Sequence, residues 1–98
     1  MMSMTAKLAR ELKSNGVSVV SYTDPDSGCP FLVDSFIYLD EDSYVQVGDG
    51  YIYLIRRLGN GCLEYLSEIT SFVGLNSVAQ TIKESFLSSK NLQPELAF

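Results

Sequence analysis

Apolar residues recur at helical spacing near both ends of the chain and at strand-like spacing between them. In the first segment, SMTAKLARELKSNG, Met4, Leu8 and Leu12 fall four residues apart and would lie on one face of a helix. Asn15-Gly16 follows, and glycine readily adopts the left-handed conformation that commonly ends a helix. The pattern therefore predicts an amphipathic N-terminal helix.

A second helical pattern occupies residues 75–87, LNSVAQTIKESFL. Val78, Ile82 and Phe86 again fall four residues apart. Ser77 and Gln80 have the spacing of a capping box, which predicts that Ser77 is the N-cap of this helix. We expect residues 1–90 to form one domain and residues 91–98 to be a C-terminal tail, whose order the sequence does not decide.

Between the helices, short segments rich in β-branched and aromatic residues alternate with turn-forming residues. These segments are 17–22 (VSVVSY), 31–39 (FLVDSFIYL), 44–47 (YVQV), 51–58 (YIYLIRRL) and 62–66 (CLEYL). Gly-Asp-Gly and Gly-Asn-Gly separate the last three, as in a meander of hairpins. We therefore predict an α+β fold: an N-terminal helix, an antiparallel sheet of four to five strands and a C-terminal helix, in two layers with both helices on one sheet face.

The segment 51–58 carries apolar side chains at both odd and even positions, so both faces of its strand would be apolar. If residues 48–50 form a three-residue loop, one face of this hairpin holds Val45, Val47, Tyr51, Tyr53 and Ile55. The other face holds Tyr44 and Gln46 together with an aliphatic row, Ile52, Leu54, Leu58 and Leu63. We assign the aliphatic row to the core beneath the helices, because it brings no hydroxyl group that must be satisfied there. The tyrosine-bearing row is then the outer face.

The position of Glu64 depends on the second turn. A two-residue turn at Asn60-Gly61, with both residues at positive φ, would place Glu64 opposite Arg57. A three-residue loop over 59–61 would place it opposite Arg56. Either register predicts an arginine–glutamate pair across the strands.

Tyrosine combines a large apolar ring with a polar tip, which suits a surface that is dry when bound and wet when free. The outer row would form an apolar patch of about several hundred Å², at or above what soluble monomers commonly expose. We therefore predict a partner-binding surface, occupied in a homodimer, made of Val45, Val47, Tyr51, Tyr53 and Ile55. The sequence leaves two alternatives open: a different protein partner, and an ordinary wet sheet face of a monomer.

Composition favours binding over catalysis. The 98 residues include 12 acidic residues, 7 basic residues and no histidine, with a net charge of −5. This negative charge disfavours nucleic-acid binding, and the lack of histidine removes the commonest metal ligand and the usual general base near neutral pH. No apolar run is long enough to span a membrane. We predict a cytoplasmic, non-catalytic adaptor, chaperone-like or regulatory protein, with a protein partner and without a cofactor, a metal, a nucleic-acid partner or a membrane partner.

Two other functions remain open. An inhibitor or immunity protein would use acidic loop residues against a basic target, and these residues are Asp40, Glu41, Asp42 and Asp49, together with Asp24 and Asp26 in an earlier loop. A small-ligand protein or an enzyme would need carboxylates that line a pocket.

Overall fold

A computed structural model describes residues 3–23, 35–71 and 74–91 of the chain. Its elements, in chain order, are α1 (Met4–Ser14), β1 (Ser21–Thr23), β2 (Ser35–Tyr38), β3 (Ser43–Gly48), β4 (Tyr51–Arg57), β5 (Leu63–Ile69) and α2 (Leu75–Asn91). The five strands form one antiparallel sheet in the order β1-β2-β3-β4-β5. Both helices pack against one face of this sheet, so the predicted α+β fold is confirmed. Of the predicted tail 91–98, Asn91 is the last residue of α2, and residues 92–98 lie outside the described residues.

The N-terminal helix α1 begins and ends where the sequence pattern predicts. The Ser3 hydroxyl accepts a hydrogen bond of 3.1 Å from a backbone amide of the first turn and caps the helix. Gly16, with a φ of 89°, follows the helix end. Leu8 and Leu12 are fully buried, whereas Met4 is exposed.

The C-terminal helix α2 begins at Leu75, two residues before the predicted cap. The carbonyl of Gly74 accepts a hydrogen bond of 3.1 Å from the amide of Val78, so Ser77 lies inside the first turn. The capping-box prediction is therefore wrong. At the other end α2 continues to Asn91, past the predicted end at residue 87, because residues 88–91 contain neither glycine nor proline. None of the helices in the described residues is both long and apolar enough to cross a membrane.

One hydrophobic core fills the space between the helices and the sheet. The sheet contributes the buried residues Ile37, Leu39, Val45, Val47, Ile52 and Leu54, and the helices contribute Leu8, Leu12, Val78, Ala79, Ile82 and Phe86. Ile52 and Leu54 thus occupy the predicted core. Leu58 and Leu63 do not, since they are 38% and 47% exposed at the turn end of the β4–β5 hairpin. Leu63 lies opposite Arg57, on the sheet face away from the helices.

The β3–β4 hairpin differs from the prediction by one residue of register. Its turn is the two-residue Asp49-Gly50, and Gly48 pairs with Tyr51 instead of belonging to the loop. Val45 and Val47 therefore lie on the helix-covered face, where they are 0% and 8% exposed. Their predicted place in the partner-binding surface is wrong, because a one-residue shift moves every side chain of a strand to the opposite face.

The β4–β5 hairpin follows the longer of the two predicted loops. Arg56 lies opposite Glu64, and the amide of Leu58 donates a 2.8 Å hydrogen bond to the carbonyl of Cys62. The Arg56 Nε donates to a Glu64 carboxylate oxygen at 3.1 Å, which gives the expected cross-strand pair. In the loop 59–61 Gly61 has a φ of 85° and Asn60 does not have a positive φ, so the type I′ alternative is wrong.

Candidate protein-binding face

The sheet face opposite the helices carries aromatic side chains from four strands, β2, β3, β4 and β5. These side chains are Phe36, Tyr38, Tyr44, Tyr51, Tyr53 and Tyr65. All six are at least partly exposed, and Tyr65 is 48% exposed. We call these six residues, together with Ile55, the aromatic face.

Three rings on β2 and β3 form the first half of the aromatic face. Phe36 stacks on Tyr38 with ring centroids 6.3 Å apart, and Tyr44 meets them at centroid distances of 5.8 Å and 6.2 Å. The guanidinium carbon of Arg57 lies 5.3 Å from the centroid of the Tyr44 ring. This cation–π contact holds a positive charge at the border of the face.

Three further rings on β4 and β5 form the second half. Tyr51 stacks on Tyr53 at 4.7 Å between centroids, and the edge of Tyr65 meets Tyr53 at 5.5 Å. Both arrangements are favourable for aromatic quadrupoles and contribute about 0.5–1.5 kcal/mol beyond area burial. The rings therefore support one another before any partner is added.

Ile55 lies between the two halves. It is opposite Tyr44 on one side and opposite Tyr65 on the other, and only 1% of it is exposed. The sequence places Ile55 correctly on the outer face, but the neighbouring rings already bury it. Ile55 thus supports the face from beneath, and the rings present the contact surface.

The structure keeps Tyr51 and Tyr53 on the outer face, as predicted, and adds Phe36, Tyr38 and Tyr65, which the sequence analysis did not assign to a face. It also corrects Tyr44, which was predicted on the helix-covered face and lies on the outer face because the β3–β4 register differs by one residue. The missing signal is the alternation of side-chain type along each strand. In β2, Phe36 and Tyr38 alternate with the aliphatic Ile37, and in β3 Tyr44 alternates with Val45. Aromatic side chains on one parity and aliphatic side chains on the other would have identified the face in three strands.

Among the acidic loop residues, Asp40 has a structural role. Its carboxylate accepts hydrogen bonds from the amides of Asp42 at 2.8 Å and Ser43 at 2.7 Å, and it pairs with the Lys90 ammonium at 3.1 Å. Partial burial alone would raise the pKa of Asp40, but these hydrogen bonds and the lysine outweigh burial and lower the pKa below its ordinary value. Asp40 thus shapes the β2–β3 turn and links it to the end of α2.

The acidic loop residues are not brought together. Residues 40–42 lie in the turn before β3, and Asp49 lies in the turn after it. Because β3 separates them by about 20 Å of extended chain, they do not form one negative patch. The other two candidates, Asp24 and Asp26, lie outside the described residues.

A cavity of about 340 Å³ lies at one end of the sheet, between β3, β4 and α2. Its lining includes Asp40, Asp42, Arg56 and Lys90. Three of these four charges already have partners, since Asp40 pairs with Lys90 and Arg56 pairs with Glu64. Over the described ranges, no group of three acidic or cysteine side chains is arranged to hold a metal ion.

Comparison with known proteins finds no matching family model, no matching curated protein and no matching solved structure.

Proposed function

We propose that this protein is a non-catalytic protein-binding module whose aromatic face is covered by another polypeptide chain. The observation that supports it is the set of six partly exposed rings on a sheet face that neither described helix covers. When one face of an antiparallel sheet is solvated, that face is usually polar. Here the solvated face is aromatic instead, which is typical of a surface that spends part of its time in an interface.

The composition of the aromatic face also resembles that of an interface core. Tyrosine and arginine are enriched in binding hot spots, and charged residues are depleted from the centre of interfaces. In the described part of the sheet, the outer face carries only two charged side chains, Arg57 and Glu68, and both lie away from the central Ile55. A tyrosine loses little conformational entropy when it binds, because it has only two side-chain torsions.

This role fits an adaptor, a chaperone-like protein or a regulator, each of which acts by contact and requires no reaction. Affinity would come from ring burial, so partner binding should depend weakly on salt. Binding through the acidic loops would instead depend strongly on salt.

A pull-down from the source cell tests the proposal. The wild type is compared with Tyr51→Ala/Tyr53→Ala and with Glu41→Gln/Asp42→Asn, in which Asp40 is kept because it shapes its turn. A matched control is Met4→Ala/Leu87→Ala, which removes two exposed apolar side chains from the helices. Circular dichroism verifies that each variant is folded.

We expect the wild type, the acidic-loop variant and the helix control to recover the same partner chain, and the tyrosine variant to lose it. Equal recovery by the folded tyrosine variant would overturn the proposal. Loss of the partner in the acidic-loop variant alone would transfer the function to that loop.

A further inference from the structure

We propose that the chain covering the aromatic face is a second copy of this protein, packed face to face about a two-fold axis that crosses the strands at Ile55. This inference rests on the proposed function and names the partner. It is based on the positions of the two charges on the outer face.

Arg57 and Glu68 lie on opposite sides of the row that contains Ile55. Arg57 is two residues beyond Ile55 along β4, and Glu68 lies opposite Tyr53, two residues before Ile55. Both side chains are exposed, and neither forms an ion pair with another described residue. At about 3.3 Å per residue, each lies roughly 7 Å from the Ile55 row.

The two-fold axis would lie between the two sheets, perpendicular to the strands and above the Ile55 row. Rotation about it places the start of each strand in the second copy over the end of the same strand in the first. It brings the second copy's Arg57 over Tyr53 of the first copy, displaced from Glu68 by one strand spacing of about 4.8 Å within the sheet plane. The sheets themselves would be about 10 Å apart, a gap that the two facing side chains span. The same operation pairs Glu68 of the second copy with Arg57 of the first copy. The angle of about 30° between packed sheets shifts each charge by only about 3–4 Å at this radius, which is within the reach of an arginine side chain.

The pairing works between copies and not within one copy. In a single chain, four residues along the strand and one strand spacing separate Arg57 from Glu68 by about 14 Å. Both side chains project from the same face, and they do not form an ion pair with each other. Each charge is therefore complementary to a position that only the second copy fills. Isologous interfaces have this property, since the same patch must match itself.

The small size of the face favours a weak, transient dimer over a permanent one. Four strands about 4.8 Å apart and about 23 Å long give a footprint of about 450 Å² per copy, which is below the roughly 800 Å² of a standard interface. We therefore expect a dissociation constant in the micromolar range, so that monomer and dimer coexist at accessible concentrations.

Charge reversal combined with mixing tests the arrangement. In Arg57→Glu, positions 57 and 68 are both acidic, and in Glu68→Arg both are basic, so each variant alone faces like charges across the axis. We expect each variant alone to raise the dimer dissociation constant by about tenfold or more. An equimolar mixture restores opposite charges at both contacts, and we expect a heterodimer at least as tight as the wild-type homodimer.

Sedimentation velocity over about 1–500 µM measures association, a range chosen around the expected affinity. Native mass spectrometry separates the heterodimer from the homodimers.

Matched controls separate local pairing from net charge. Lys7→Glu changes the net charge by as much as Arg57→Glu does, and Glu84→Arg matches Glu68→Arg. Both control positions are exposed on helices, on the other side of the sheet. We expect these variants to dimerise like the wild type and to show no preference for the heterodimer when mixed.

The outcomes distinguish this inference from the proposed function. If the wild type is monomeric at every concentration, the proposal that a second copy covers the face is wrong. If the pull-down still recovers a partner that depends on the tyrosines, the proposed protein-binding function remains supported. If Tyr53→Glu abolishes a wild-type dimer but the mixed charge variants do not pair, the two-fold arrangement is wrong and the aromatic face still binds. A dimer that persists in Tyr53→Glu and in both charge variants uses another surface and overturns both.

Discussion

The ring of Tyr51 lies against the backbone of Gly48, its direct partner across the β3–β4 hairpin. A Cβ atom at position 48 would overlap this ring, and Gly48 does not have a positive φ. The ring above it therefore requires the glycine, and the backbone conformation does not. Glycine ordinarily weakens a strand, and an aromatic side chain that covers it offsets this loss.

This contact predicts that Gly48→Ala lowers the free energy of unfolding when Tyr51 is present and raises it when Tyr51 is replaced by alanine. With Tyr51 present, the new methyl group displaces the ring from its stack on Tyr53, and we expect a loss of up to about 1 kcal/mol in the free energy of unfolding. In a Tyr51→Ala background, the same substitution should stabilise by about 0.4–1 kcal/mol, because it restricts the unfolded chain. Urea unfolding of the four variants measures the coupling. Gly59→Ala, with open space around its Cβ, is the control. Additive effects would show that the ring does not lie over Gly48.

The burial of Ile55 predicts that its replacement strongly lowers the stability of the fold, although it lies on the sheet face that no described helix covers. Because the neighbouring rings bury it almost completely, Ile55→Ala should lower the free energy of unfolding by about 2–4 kcal/mol. Leu63→Ala, on the same face but 47% exposed, should cost less than about 1 kcal/mol. Both are measured by urea unfolding at a low protein concentration, so that association does not contribute. Equal losses would mean that the rings do not enclose Ile55.

The register of the β4–β5 hairpin predicts which arginine is coupled to Glu64. A double-mutant cycle with Arg56→Gln and Glu64→Gln should give a coupling energy of about 0.5–1 kcal/mol, which decreases with added salt. The cycle with Arg57→Gln should give a coupling near zero, because Arg57 projects to the other face. A larger coupling for Arg57 would contradict the three-residue loop.

The lowered pKa of Asp40 predicts an acid-sensitive contribution to stability. A lowered pKa means that the unfolded chain binds the proton more tightly than the folded protein does. The ionised carboxylate therefore stabilises the fold above the ordinary pKa of 3.8, and this contribution is lost as the pH falls through that value toward the lower folded pKa. We expect Asp40→Asn to be less stable than the wild type near neutral pH and the difference to shrink below about pH 4.

Thermal or urea unfolding at a series of pH values measures this difference. In Lys90→Gln the pH-dependent part should become smaller, because one of the charges that lower the pKa of Asp40 is removed. A difference between Asp40→Asn and the wild type that stays constant, or that grows in acid, would contradict the assignment.

Local sequence patterns predicted the elements of the fold. The spacing of Leu8 and Leu12 and the glycine at position 16 located α1, because capping and amphipathicity act within a few residues. The order of helix, meander and helix implied a sheet with helices on one face, since a two-layer domain has few other arrangements. The segregation of Ile52 and Leu54 from Tyr51 and Tyr53 followed from the period of two along a strand.

Register and burial required the tertiary structure. Gly48 belongs to β3, where the Tyr51 ring lies over it, and this register places Val45 and Val47 in the core instead of the predicted interface. Similarly, the sequence placed Ile55 on the outer face but could not show that Tyr44 and Tyr65, from the two neighbouring strands, lie beside it there. A pattern along one strand specifies the side to which a side chain points. The contacts across strands decide what it meets, because they join residues that are distant in the chain.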